Sequence, residues 1–122
     1  MAQEIINKNV TYFRLLILLN ILVSIALARI IILYNIEFIN LKTLFIVFYS
    51  VVWFFSLYKI YNFSKLGLKI YIYMFIMGFV LNALSNFKIF GQLYYILSLF
   101  EHLIIGSIIS FSYFSKIKTK FK

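Results

Sequence analysis

Glu101, His102 and Arg29 are the residues of this sequence best able to do chemistry, because each sits inside a long apolar run, where an ionisable group is expensive. Glu101 and His102 are neighbours in the last run, and Arg29 lies in the first. A carboxyl at that depth can hold a proton or a cation, or it can stay a neutral acid hydrogen-bonded into the protein interior and serve structure alone. An Arg29–Glu101 ion pair is the sharper reading, since either charge left single at mid-bilayer costs roughly 2.5–3.5 kcal/mol or more. The opposing reading for Arg29 is snorkelling of its long side chain to the headgroups. Asn20 and Asn82, polar residues of the first and third runs, complete a candidate intramembrane polar centre.

His102 is either a ligand or a hydrogen-bonded interior residue. The stretch from His102 to Gly106 reads H-L-I-I-G and resembles the H-x-x-x-G around a haem ligand in succinate dehydrogenase membrane-anchor subunits. That resemblance implies haem ligation by His102. The Arg-His pair that follows the glycine in that family, and the His-Arg pair on an earlier helix, are replaced here by Ser107-Ile108 and Ala28-Arg29. One histidine cannot supply two axial ligands, and the chain has no cysteine. No metal and no cofactor is expected.

Spacing says more than charge. Asn20, Ser24 and Ala28 recur every four residues in the first run, Gly78, Asn82 and Asn86 in the third, and Ser98, His102, Gly106 and Ser110 in the fourth. Residues four apart share a helix face. Lipid is as apolar as leucine, so helices inside it meet through small residues and interhelical hydrogen bonds. Ser24, Ala28, Gly78, Ser98, Gly106 and Ser110 are therefore read as helix-packing positions. The second run, with Phe45, Phe48, Trp53, Phe54 and Phe55, offers a broad aromatic surface to lipid or to a neighbouring subunit.

The elements that must position these residues are four apolar runs, 11–34, 43–61, 69–85 and 92–114. At 1.5 Å per residue each can cross a hydrocarbon core of about 30 Å, the third only just. The runs do not alternate apolar with polar residues, which argues against a membrane barrel. The expected architecture is all-α: an integral membrane four-helix bundle, up-down-up-down, with consecutive helices paired as antiparallel hairpins. Residues 1–10 read as an N-terminal cytoplasmic segment, 11–115 as the four-span domain, and 116–122 as a basic cytoplasmic tail. The long first run is expected to remain as a membrane helix, since a secretory signal has a shorter apolar core.

Composition sets the solvent. Of 122 residues, 65% are hydrophobic and mean hydropathy is +1.03, more apolar surface than a soluble domain of this size can hide. The net charge of +9 falls between and beyond the runs, so it marks topology rather than nucleic acid. Lys8, Arg14, Lys59, Lys65, Lys69, Lys116, Lys118, Lys120 and Lys122 fall on one side, Lys42 and Lys88 on the other. The positive-inside rule then places both termini in the cytoplasm. Tyr58, Tyr61, Tyr71, Tyr73 and Tyr113 near one face, and Tyr34, Tyr94 and Tyr95 near the other, read as interfacial belts. Richness in Phe, Tyr, Ile, Asn and Lys suggests an A+T-rich genome, so the expected site is a bacterial inner membrane, or alternatively a mitochondrial one.

There is no nucleotide loop, no zinc-hydrolase motif and no nucleophile beside a base. The leading expectation is a non-catalytic accessory or assembly subunit of a larger membrane complex, partnered by lipid and by other membrane subunits or itself. No soluble substrate is implied. The alternative is a small oligomeric proton- or cation-coupled transporter or channel that uses Glu101.

Overall fold

A computed structural model of the chain describes residues 2–35, 41–84 and 92–122. Among these residues the fold is all-α. Helices α1 (Ala2–Asn35), α2 (Leu41–Tyr61), α3 (Lys65–Leu84) and α4 (Gln92–Phe114) are followed by a short 3₁₀ helix, Lys116–Lys120. Three of the helices are long and apolar enough to cross a membrane, through Gln3–Ile31, Leu44–Tyr61 and Gln92–Phe114. The third helix, α3, has 20 residues, about 30 Å at 1.5 Å per residue.

Helix α1 starts well before the apolar run that defines it. Its 34 residues amount to roughly 50 Å, more than a bilayer core, so the polar turns that hold Gln3, Asn7 and Lys8 extend the same helix rather than forming a separate segment. Glu4 lies in its first turn, where a carboxylate complements the helix dipole.

The α2–α3 turn explains why α3 begins at Lys65. Phe63 takes a left-handed conformation, φ 58°. Its N–H donates to the Ile60 carbonyl at 3.0 Å, and the Ser64 N–H reaches back to the Lys59 carbonyl at 3.0 Å. These two bonds form a Schellman stop to α2. Ser64 then caps α3, its hydroxyl oxygen accepting from the Gly67 N–H at 3.2 Å. Phenylalanine is an unusual residue for a left-handed position. Its ring offsets the strain by stacking on Phe13 with centroids 5.6 Å apart and meeting Phe121 edge-on at 5.5 Å.

Phe121 arrives from the segment beyond α4, which is packed rather than free. Ser115 caps the 3₁₀ helix by accepting from the Ile117 N–H, and Ile117 and Phe121 are buried against the helices. The Lys65 N–H donates to the Lys122 carbonyl at 2.9 Å, and the Lys122 N–H donates to the Phe63 carbonyl at 3.0 Å. One of the N–H groups left open at the start of α3 is thereby satisfied. The expected basic tail is thus a lysine-rich clasp across the α2–α3 turn. Arg14 lies over the Tyr61 ring at 4.6 Å and the Phe63 ring at 5.4 Å, a cation held by π faces.

Packing departs from the simple hairpin order. Helices α2 and α3 pair closely as neighbours in sequence, but α1 lies chiefly on α4 and only lightly on α2. The densest core sits toward the end that carries both termini, where Phe13, Ile17, Leu57, Ile60, Tyr71 and Ile108 are fully buried. Helix α2 presents Phe45, Phe48 and Phe55 outward, as its composition implies, yet buries Trp53, Ser56, Leu57 and Ile60.

Two glycines separate real seams from apparent ones. A methyl added at Gly67 would sit 2.3 Å from the Lys59 Cβ and within 3.1 and 3.2 Å of α2 backbone atoms, so α2 and α3 touch there only because residue 67 has no side chain. A methyl added at Gly106 meets nothing within 4 Å, and Ser110 is exposed beside it. Within the chain these two α4 positions are not packing positions, because α1 lies along the face that carries Ile104, Ile105 and Ile108. We expect Gly67→Ala to lower unfolding stability by about 1–3 kcal/mol, the usual effect of overpacking, and Gly106→Leu to leave it unchanged. Thermal or denaturant unfolding in detergent measures both.

Candidate functional site

The polar residues of α1 meet partners from every other helix. Asn20 and Ser24, one turn apart, are both buried. The Asn20 amide nitrogen donates to the Tyr71 hydroxyl of α3 at 2.5 Å. Ser24 Oγ lies 3.1 Å from Asn20 Oδ1 and 3.2 Å from Glu101 Oε1 of α4, and accepts from the Trp53 Nε1 of α2 at 2.9 Å. Trp53 stacks on Tyr71 at 4.8 Å, with ring planes 22° apart. One serine hydroxyl therefore joins α1, α2 and α4, and Asn20 carries the connection to α3.

The junction has to share its protons. Trp53 can only donate, and Ser24 has one hydroxyl proton with two acceptors in reach. If Glu101 is protonated, its O–H donates to Ser24 Oγ, Ser24 donates to Asn20 Oδ1, and the Asn20 amide donates to Tyr71. If Glu101 is ionised, Ser24 must donate to it, and Asn20 Oδ1 loses its donor. Turning the Asn20 amide over repairs this: Tyr71 donates to Oδ1, the amide donates to Ser24, and Ser24 donates to the carboxylate. The two amide orientations are interchangeable by shape. The same five side chains can thus satisfy either charge state of Glu101 by reversing the direction of one hydrogen-bonded chain.

Glu101, Ser24 and Trp53 also stand on the wall of a cavity of about 330 Å³ between the α1–α4 pair and the α2–α3 pair. Phe45, Tyr49, Phe54, Phe75, Phe79 and Tyr94 supply the other aromatic rings of the lining. The Tyr49 hydroxyl crosses to α3, where it donates to the Met74 carbonyl at 2.6 Å. Gly78 makes room for it, since a methyl there would lie 2.3 Å from the Tyr49 oxygen. Ala28 and Ser98 line the same space.

His102 borders the cavity with its Nδ1 2.6 Å from the Ser98 carbonyl and its ring edge-on to Phe75 at 5.5 Å. A ring nitrogen at that distance from a carbonyl oxygen donates a proton to it.

The structure brings together Asn20, Ser24 and Glu101 from the expected polar centre, with His102 adjoining. Arg29 lies apart from them. Its side chain is exposed on α1, and among the described residues no ion pair links it to Glu101. A long cation that can reach the surface along its own helix has no need of a buried partner. The side chain of Asn82 lies outside the described residues. Sequence reasoning missed Trp53 and Tyr71, which it read as aromatic surface and interfacial belt. Tyr71 is fully buried because its hydroxyl meets Asn20 at matching depth. No protein family, characterised protein or solved structure matches this chain, so its function is read from these residues.

If Ser24 is the hub, Ser24→Ala and Trp53→Phe should not add. Each should cost roughly 0.6–2 kcal/mol of stability, and the double variant should cost less than their sum, because both remove the same bond. Unfolding of the three variants in detergent checks this.

Proposed function

We propose that this chain is a four-span membrane protein with both termini on the cytoplasmic face, and that Glu101 is its proton or cation site. The observation that carries the reading is the placement of Glu101, with one oxygen on the junction that ties the helices together and the side chain on the wall of a partly open cavity. A carboxyl needed only for packing has no use for a cavity beside it. A carboxyl that must exchange its proton or hold a cation needs an opening, and a junction able to satisfy both charge states suits that exchange. The chain is then a small membrane carrier, or the ion-handling part of one, and the nine-to-two distribution of basic residues sets its orientation.

A second reading, an accessory subunit or a self-associating one, is favoured by the open face of α4. Gly106 and Ser110 are one turn apart there and exposed, a pattern that lets a second helix come close. Under this reading Gly106→Leu should abolish co-purification of a partner in fixed ratio, or the homodimer, while leaving the fold intact.

The test of the Glu101 reading is a proton count. Purified protein in unbuffered detergent should take up about one more proton per chain on acidification than the Glu101→Gln variant, as reported by a pH indicator. Equal curves for the two proteins would remove Glu101 as an exchangeable site. Single-Cys variants at Lys65 and Lys88, probed with an impermeant thiol reagent on intact cells, should label only at position 88. Labelling at position 65 would reverse the orientation.

A further inference from the structure

We propose that the cavity beside Glu101 binds a lipophilic organic cation, which competes with a proton for the carboxylate. The inference rests on reading Glu101 as an exchangeable proton or cation site, and it adds the chemical class of the ligand.

The wall chooses among ligands. Among the described residues of the wall, Glu101 and His102 are the only ionisable groups besides tyrosine, and none is a lysine or arginine. An anion would meet a carboxylate and no fixed positive charge. A bare metal ion wants about six oxygen ligands. Three of the hydroxyls on the wall are already engaged, Ser24 in the junction, Tyr49 with the Met74 carbonyl and Ser50 with the Ile46 carbonyl. Ring faces are in far better supply. Phe45, Tyr49, Trp53 and Phe54 come from α2, Phe75 and Phe79 from α3, and Tyr94 from α4. A carboxylate surrounded by aromatic faces recognises a positive charge spread over apolar groups, through cation–π attraction and apolar contact together. The volume of about 330 Å³ falls at the lower end of sites for drug-sized molecules.

Charge balance supplies the competition. The titratable groups that face Glu101 are Tyr49 from α2, Tyr71 from α3, and Tyr94 and His102 from α4, while α1 contributes the uncharged Asn20 and Ser24. Glu101 is the one carboxylate among these groups, so its charge is the one the cation must match. When the cation enters, the proton leaves Glu101, and Ser24 turns its hydroxyl toward the carboxylate. When the cation departs, the proton returns and the hydrogen-bonded chain reverses. One positive charge is exchanged for another.

Trp53 is the only tryptophan in the chain and stands on the cavity wall, so its fluorescence reports the occupant. Purified full-length protein in detergent is titrated with tetraphenylphosphonium, and separately with tetraphenylborate, which matches it in shape and opposes it in charge. Saturable quenching by the cation and none by the anion is expected. As pH falls below the point at which Glu101 takes up its proton, the cation's Kd should rise about tenfold for each pH unit, with about one proton released per cation bound there. Glu101→Gln should weaken binding at least tenfold and erase the pH dependence, and Phe79→Leu should weaken it several-fold while keeping that dependence. If Glu101→Gln fails to fold, Glu101→Asp takes its place and must keep both charge selectivity and proton release. Equal quenching by the two probes, or pH-independent binding, would reduce the cavity to an apolar sink and overturn the proposal. Failure of the cation to bind a protein whose Glu101 still titrates would overturn the ligand class and leave the proton site standing. Absence of that titration would overturn the reading beneath it.

Discussion

The Ser24 hydroxyl is the smallest group on which the arrangement of the helices depends. In lipid, apolar side chains gain little by leaving one apolar neighbour for another, so the position of one helix against the next is set by close packing and by polar bonds. Ser24 accepts from Trp53 and lies within reach of Glu101 and Asn20, so three helices converge on one oxygen atom. Asn20 and Tyr71 add the fourth. Removing Ser24 would leave the buried Trp53 N–H without its acceptor, which costs more than the bond itself contributes. The junction joins the apolar core, through Trp53 and Tyr71, to the wall of the cavity, through Ser24 and Glu101.

The two ends of the bundle are built for different purposes. At the end with the termini, Phe13, Phe63 and Phe121 interlock, the chain beyond α4 is bonded to the α2–α3 turn, and Gly67 lets α2 and α3 meet almost backbone to backbone. On the other side of the junction, wide rings stand where small residues would have closed the gap. Tyr49 bridges to α3, and Phe54, Phe75 and Phe79 line the cavity between the two helix pairs. A left-handed phenylalanine in the turn shows how firmly the closed end is specified, since glycine would have been easier for the backbone. The clamp fixes the helices at one end, so the space left at the other belongs to the fold.

How far the sequence could be read follows from the same physics. Four long apolar runs announced four helices because their length and lack of alternation allow little else. Glu101, Asn20 and Ser24 stood out because polar groups are conspicuous in such runs. Arg29 was harder, since its side chain is long enough to satisfy itself at a distance from its own Cα. Gly106 and Ser110 fit a four-residue period, but a period names a face of a helix without naming what lies against it. Trp53 and Tyr71 were hidden by their own ambiguity: amphipathic rings serve equally at a membrane surface and in a buried hydrogen bond. The caps Ser64 and Ser115 were not read from the sequence, where aromatic and basic residues stand on either side of them.

The position of Asn20 gives the junction its direction. A second serine there could accept from Ser24 or donate to it, but it would be too short to reach Tyr71 as well. A carboxylate would bring a second charge. An amide spans both neighbours and has two ends of nearly the same shape and opposite hydrogen-bonding character. Turning it exchanges donor for acceptor without moving a helix, so the charge on Glu101 can change while Trp53, Ser24 and Tyr71 stay where they are. A proton or cation site built this way needs no large rearrangement to remain satisfied in both states.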